Sequence, residues 1–277
     1  MRPQRIALVT GANQGIGFAL VEGLAARLEA TDLVLLTGRN PERVAAASER
    51  LNGTAQVEGR VLDVTDAKAV ADLAAELQAQ YGGVDIVISN AIGPLSPDRT
   101  QAEQADQFIA VANGGTAAVL RSFAPVLRPA GRLIVVASSL GTLDNLDAKV
   151  QPLFEDGRTL DQIEQAVEDW RQSIHAGTHA DQGWPDWINI PSKVAQVAAV
   201  RAVAATRRTE DLANGTLIAS VCPGLVDTRA SRPWFDDFSQ ARSPDEAVQP
   251  ILDLILTDHV DPSTYGELIR DGKVLPY

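Results

Sequence analysis

Val9-Thr10-Gly11-Ala12-Asn13-Gln14-Gly15-Ile16-Gly17 joins an apolar run, Ile6–Thr10, to a helix-patterned segment, Ile16–Ala30. In that segment Leu20, Leu24 and Leu28 share one face. Glycines allow a tight turn between strand and helix. They also let an anion approach the backbone, where the free N–H groups and dipole of the helix N-terminus favour phosphate. A glycine loop alone is a weak signal, and its context supplies the rest.

Outward from the loop, further apolar runs read as strands at Leu33–Thr37, Val57–Asp63, Val84–Ser89, Arg132–Ala137 and Thr216–Cys222. Their near-continuous apolar character suits strands covered on both faces. Helices are expected at Glu42–Leu51, after Asn40-Pro41, at Asp66–Gln80, capped by Thr65, and at Glu103–Leu127 and Pro191–Arg207. Strand–helix alternation implies a parallel α/β sheet with right-handed crossovers and helices on both faces. No repeat or linker divides residues 1–277, so a single domain is expected. A long insertion at 143–188, ahead of the Pro191 helix, has its own helix at Leu160–Ile174 and reads as a lid or substrate wall. Leu225–Ser243 reads as a loop in which Trp234 and Phe235 cover a cleft.

Composition narrows the function. The net charge of −12, with no Lys/Arg-rich run, argues against a nucleic-acid or anionic-membrane partner. Cys222 is the only cysteine, which excludes an internal disulfide and a cysteine-built zinc site. His175 and His179 are spaced i, i+4, but no second ligand cluster accompanies them, so no metal is expected. Met1-Arg2-Pro3-Gln4-Arg5 precedes an apolar run too short for a signal peptide, and no run approaches the ~20 residues of a membrane span. A cytoplasmic protein is the expectation.

The Gly-x-x-x-Gly-x-Gly spacing, followed in order by Asp63-Val64, Asn90-Ala91, Asn113, Ser138-Ser139, Lys193, and Cys222-Pro223-Gly224 with Thr228, resembles the short-chain dehydrogenase/reductase superfamily over nearly the whole chain. Ile92 intervenes where the family's Asn-Ala is followed directly by glycine. Gly183-Trp184-Pro185 and the length of the insert resemble the monomeric carbonyl-reductase branch, in which the insert covers the helix face that other members use to dimerise. The resemblance implies one doubly wound Rossmann-type sheet of about seven strands and a monomer. It implies dinucleotide contacts from Gly11, Asn13, Gln14, Gly15, Ile16 and Gly17. Further contacts would come from Asp63, Val64, Asn90, Ala91, Lys193, Pro223, Gly224, Val226 and Thr228.

An NAD-specific site places a carboxylate at the end of the second strand. Here that position reads Thr37-Gly38-Arg39, with no acid. The Arg39 guanidinium suits a 2′-phosphate, and Asn13 can add a hydrogen bond, so NADP(H) is the expected cofactor.

The resemblance assigns catalysis to Asn113, Ser139 (with Ser138 as a one-residue alternative) and Lys193. The family also has a tyrosine four residues before the lysine, as general acid. That position is Asn189, and the tyrosines of this chain, Tyr81, Tyr265 and Tyr277, lie far from it in sequence. An amide is no acid near neutral pH. Four accounts stay open. The substrate needs little acid help, as with an activated C=C or C=N bond. Another acid acts, from Asp144, Asp147, Asp186, His175 or His179. Lys193 and an Asn113-held water protonate a carbonyl directly. Or the chain binds NADP(H) without turnover, as a sensor or partner module. The expected substrate is a small apolar molecule; Trp170, Trp184, Trp187 and Trp234 either line its pocket or serve as plain packing, the more frequent role of buried aromatics.

Overall fold

In the computed structural model, residues 4–277 are described; Met1, Arg2 and Pro3 lie outside them. The strands are β1 (Ile6–Val9), β2 (Leu33–Gly38), β3 (Gln56–Val61), β4 (Val84–Ser89), β5 (Leu127–Val136), β6 (Leu217–Val221), β7 (Leu268–Arg270) and β8 (Lys273–Leu275). They form one sheet in the order β3-β2-β1-β4-β5-β6-β7-β8. All neighbours pair in parallel except β7 with β8, which is antiparallel. The seven parallel strands match the expectation of about seven, and a hairpin through Asp271-Gly272, both at positive φ, adds an eighth, antiparallel strand.

The helices are α1 (Gly15–Arg27), α2 (Pro41–Ser48), α3 (Ala67–Tyr81), α4 (Gln101–Ile109), α5 (Gly115–Phe123), α6 (Leu160–Ala176), α7 (Asn189–Ala213) and α8 (Pro244–Leu256). α1 packs with α8, while α3, α5 and α7 pack in series. The core lies between these layers, where β1 and β2 have no exposed residue. Strand order reverses between β1 and β4, which places a crevice at their carboxyl ends.

Several boundaries differ from the sequence reading. The expected helix Glu103–Leu127 is interrupted by a π-helical turn, Ala110–Gly114, and ends at Phe123. Pro125 follows in a 3-10 turn, and β5 begins at Leu127, well before Arg132. The helix stops short of Leu127 because Pro125 has no backbone N–H to continue the ladder. β3 is not apolar throughout. It is an edge strand with exposed positions, and Arg60 bridges Glu58 and Glu76. α3 is capped by Asp66, whose carboxylate accepts from the Ala69 N–H, while Thr65 bonds the Asp63 carboxylate. α7 starts at Asn189, two residues before Pro191, and runs to Ala213. Pro191 thus sits in the first turn, where no intrahelical acceptor awaits its missing N–H.

The insert is a packed layer. Thr159 and Gln162 form a capping box at the start of α6, and Gly177 at φ 70° ends it. Trp170 is fully buried and meets Trp184 at 5.8 Å, and Phe154 lies edge-on to Trp184 at 6.0 Å. Those two tryptophans are insert core, not pocket lining. α6 lies on α4 and α7, so this part of the insert covers a helix face rather than closing over the crevice. Among the described residues no helix is long and apolar enough to cross a membrane.

Candidate active site

The crevice is built first by backbone packing. Gly11 has φ +61°, and a Cβ there would lie 2.7 Å from the Ala91 Cα. Gly17 is as tightly held: its Cβ would lie 2.5 Å from Asn90 Nδ2 and 2.6 Å from the Gly11 carbonyl oxygen. Asn90 fastens the loop from the end of β4, its Nδ2 donating to the Thr10 and Gly11 carbonyls at 3.0 and 3.2 Å. The backbone N–H groups of Asn90 and Ala91 donate in turn to Thr10 Oγ1 at 2.9 and 3.1 Å. Thr10, wholly buried, is thus a structural part of the site that the sequence reading left inside the strand.

At the N-terminus of α1, Gln14 is extended and gives no side-chain cap, so the first-turn N–H groups are open to an anion. Thr228 closes over this turn. Its Cγ2 would lie 3.7 Å from a Cβ at Gly15, and its hydroxyl is tied to Ser231 Oγ at 3.2 Å. Pro223 is buried, Gly224 turns at φ +80°, and buried Val226 pairs with Arg242, which holds this arm beside the crevice. Asn13 Oδ1 would stand 3.1 Å from a Cβ at Gly38, next to Arg39. Arg39 is exposed and makes no ion pair among the described residues. On the other side of the crevice, Asp63 keeps one carboxylate oxygen on Thr65, and Val64 would contact a Cβ at Gly115 at 2.6 Å. Glycines whose Cβ positions are filled by backbone, an uncapped helix start and a free guanidinium together fit a dinucleotide phosphate chain.

The reactive end gathers residues from β5, β6, the π-turn and α7. Lys193 is buried, and its ammonium donates to the Val136 carbonyl at 3.2 Å and to Gln196 Oε1 at 2.8 Å. Burial pushes its pKa down to about 8, against a smaller opposing effect of Cys222. Asn113, inside the π-turn, donates from Nδ2 to the Ser192 carbonyl at 2.9 Å. Such turns are frequent at functional sites. Ser138 Oγ accepts from the Leu140 N–H, whereas the Ser139 side chain is exposed, and its backbone N–H donates to Cys222 Sγ at 3.1 Å. Ser139 is therefore the serine with an uncommitted hydroxyl.

Asn189 begins α7 one turn before Lys193, on the same helix face. Its Oδ1 is buried without a protein partner, as are Asn113 Oδ1 and Ser192 Oγ.

No tyrosine serves this end. Tyr265 donates to Asp211 Oδ2 at 2.6 Å near the far end of α7, and burial together with that carboxylate pushes its phenol up. Tyr277 donates to the Phe154 carbonyl, and Tyr81 ends α3. Of the alternative acids, His175 bonds Asp106 at 2.7 Å and Asp147 accepts from the Lys149 N–H. Asp144 and Asp186 are exposed. The His175–His179 spacing is not helical, since α6 ends at Ala176 and His179 faces Gln101 at 3.5 Å. No group of residues able to hold a metal occurs among the described residues.

Two features escaped the sequence reading. Gln196, one turn past Lys193, is a polar residue on the buried face of an otherwise Ala/Val-rich helix, and that spacing was the available signal. Trp187, just before Asn189, meets Trp234 of the Leu225–Ser243 loop at 5.3 Å and joins the insert to the arm that carries Thr228. Nothing in the spacing announces this pairing.

The profile of the short chain dehydrogenase family matches residues 5–150. Carbonyl reductase [NADPH] 3 of Rattus norvegicus is 30% identical, with 98% of this chain and 97% of the relative covered. Carbonyl reductase [NADPH] 1 of Mus musculus is 28% identical over 98% of each. Among solved structures, salutaridine reductase from Papaver somniferum superposes with a TM-score of 0.80 at 22% identity, covering 96% of this chain and 99% of its own. Menthone neomenthol reductase from Mentha piperita gives 0.76 at 23% identity, covering 98% and 100%. The two structures share the fold; the family profile over more than half of the chain and a 30% identical relative aligned along nearly all of it say more, and the chain belongs to the short-chain dehydrogenase family.

Proposed function

We propose that this enzyme is an NADP(H)-dependent oxidoreductase that transfers hydride to an activated C=C or C=N bond of a small apolar substrate, with a carbonyl as the next class. NADPH is named in both carbonyl reductase relatives, and Arg39 with Asn13 offers the 2′-phosphate a guanidinium where an NAD site would have an acid. The phosphate chain would lie on the Gly11–Gly17 turn, with Thr228 over it. Asp63 and Val64 would flank the adenine, and Lys193 would hold the nicotinamide ribose. The bound nicotinamide would supply the hydride.

The observation that carries the substrate class is Asn189. It takes the family's tyrosine position at the head of α7, and its buried Oδ1 has no hydrogen-bond partner among the described residues. An amide can orient a substrate but cannot protonate an alkoxide. With an iminium, hydride addition neutralises an existing charge, and Asn189 Oδ1 can accept the N–H. With an enone, Asn189 Nδ2 and the Ser139 hydroxyl can donate to the oxygen while water delivers the proton to carbon. Neither route asks a side chain for an acid near neutral pH.

The arrangement of α6 on α4 and α7 favours a monomer, because this layer covers a face otherwise free to pair.

The test is NADPH oxidation by the purified protein against matched ketones, enones and cyclic imines. Turnover of imines or enones without ketones is the expected result. Equal ketone turnover would overturn the reading and direct attention to Lys193 or His179. Tight NADPH binding with no turnover in any class would make the chain a binding module.

A further inference from the structure

We propose that Gln196 is a positioning residue for Lys193: its Oε1 holds the ammonium at the back of the crevice and so sets the pH at which that charge is lost. The inference rests on the reading that Lys193 works at the cofactor end of the site.

Among the described residues two acceptors meet the Lys193 ammonium, the Val136 carbonyl at 3.2 Å and Gln196 Oε1 at 2.8 Å. The shorter contact is to a side chain, which substitution can remove. The amide orientation follows from chemistry, because an ammonium only donates and a carbonyl only accepts. Gln196 Nε2 donates to the Ala112 carbonyl at 2.9 Å and to Thr116 Oγ1 at 2.9 Å. Thr116 sends its own proton to the Ala112 carbonyl at 2.6 Å, leaving an Oγ1 lone pair for Gln196. Every polar atom of the Gln196 amide is thus engaged, and Oε1 cannot turn away without losing two bonds.

The π-turn Ala110–Gly114 contributes twice. It presents Ala112 to Gln196, and it sends Asn113 Nδ2 to the Ser192 carbonyl, next to Lys193. Two points of one turn therefore fix the α7 segment that carries the lysine. Cys222, at the end of β6, is the titratable side chain acting on Lys193. The remaining groups of the hydrogen-bond network that holds the ammonium, the Val136 and Ala112 carbonyls, Gln196 and Thr116, are uncharged. With so little opposing charge nearby, the amide acceptor is the main side-chain support of the ammonium in a buried setting. A hydrogen bond to a charged group is strong enough to move a pKa by about one unit.

Gln196 also borders a cavity of about 400 Å³ between α6 and α7. That space makes Gln196→Met, of similar length, a tolerable replacement.

The experiment titrates Lys193 in the full chain without cofactor, by NMR of protein labelled at lysine Cε, with the signal assigned by its loss in Lys193→Arg. Gln196→Met should lower the midpoint by about one unit, and Gln196→Glu should raise it by at least as much. The alkaline limb of the kcat/KM profile should move with each. Unmodified protein gives an independent reading, since the Gln196 side-chain amide signals should shift with the same midpoint as Lys193. Unchanged midpoints in folded variants, or Gln196 signals indifferent to the Lys193 titration, would overturn the proposal and leave Gln196 a tie between helices. Because the titration needs no turnover, failure of the substrate panel would not be mistaken for failure of this coupling.

Discussion

Gly11 and Gly15 both have positive φ, at +61° and +57°, yet their surroundings differ, and alanine at each separates two costs. At Gly15 the nearest atom to a new Cβ is Thr228 Cγ2 at 3.7 Å, an ordinary contact. Gly15→Ala therefore meets only the left-handed backbone cost of about 1–2 kcal/mol, partly offset by about 0.4–1 kcal/mol from a stiffer unfolded chain. Its net effect is about 1 kcal/mol. At Gly11 the Cβ would stand 2.7 Å from the Ala91 Cα and 3.2 Å from the Ala91 N. These are backbone atoms held by Thr10 Oγ1 and cannot swing aside. Overpacking of this kind adds about 1–3 kcal/mol, for a total of about 2–4 kcal/mol. At ~2–4 °C per kcal/mol, Tm should fall by ~2–4 °C for Gly15→Ala and by ~4–16 °C for Gly11→Ala. Thermal unfolding followed by circular dichroism measures both, and NADPH fluorescence titration gives the affinities. Affinity should drop more than ten-fold in Gly11→Ala, since relief of the clash moves the phosphate turn. If the two variants unfold together, the close approach of β1 and β4 does not constrain the loop and the argument fails.

Arg39→Ala should reduce the NADPH-over-NADH preference by about 10–100-fold, the loss of charge-assisted bonds to one phosphate; an unchanged ratio of kcat/KM values would move phosphate recognition to another group, such as Arg43 in the first turn of α2. Lys193 has a folded pKa of about 8 against about 10.5 for a free lysine, so the unfolded chain binds its proton more tightly and stability rises as pH goes from about 8 to about 10.5. Urea unfolding should show this rise, up to ~3 kcal/mol, and Lys193→Met should abolish it; a rise that survives the substitution would place the titration elsewhere. Asn189→Tyr should supply a general acid and raise ketone turnover by about 10²-fold, with Pro191 no obstacle in the first turn of α7; no gain over the ketone panel would show that the pocket itself rejects ketones. Trp234→Ala breaks the pairing with Trp187, so KM for the larger substrates should rise about two- to ten-fold at constant kcat, and a KM independent of substrate size would remove this pair from the cleft wall.

The glycine turn and the strand–helix alternation were legible because local chemistry dictates them. A strand buried on both faces must be largely apolar, as β1 is and as β2 is apart from Thr37, whose hydroxyl donates to the Val9 carbonyl, and a turn whose Cβ positions are occupied by backbone must be glycine, as at Gly11 and Gly17. Features that depend on distant partners were not legible. β3 reads as strand without full apolar character because it has one neighbour only, and β8 is too short to carry a pattern. The π-turn coincides with Asn113-Gly114-Gly115, which weakens the helix locally, but its partners lie on distant α7: Asn113 Nδ2 donates to the Ser192 carbonyl, and the Ala112 carbonyl accepts from Gln196 Nε2. For the site, residue types at strand ends gave candidates only. That Ser138 Oγ is engaged by the Leu140 N–H while the Ser139 side chain is exposed follows from the fold, not from the Ser-Ser pair itself.

The polar groups at the reactive end also bear on whether the site works. A scaffold that only bound a dinucleotide would need the loop, Arg39 and a ribose contact. It would gain nothing from buried side-chain oxygens on Asn113, Asn189 and Ser192 that have no partner among the described residues. Each such atom costs about 1–3 kcal/mol in a folded chain, and apolar residues of like shape would remove that cost. Their concentration around one helix start, opposite an uncommitted serine hydroxyl, is what a reacting substrate with polar atoms of its own would offset. The same cluster makes the prediction asymmetric: Asn189→Leu should leave NADPH affinity within about two-fold and raise Tm by a few degrees, yet remove turnover, as expected where stability has been given up for function. Turnover retained in Asn189→Leu would mean that the amide is not used, and would return the position to simple packing.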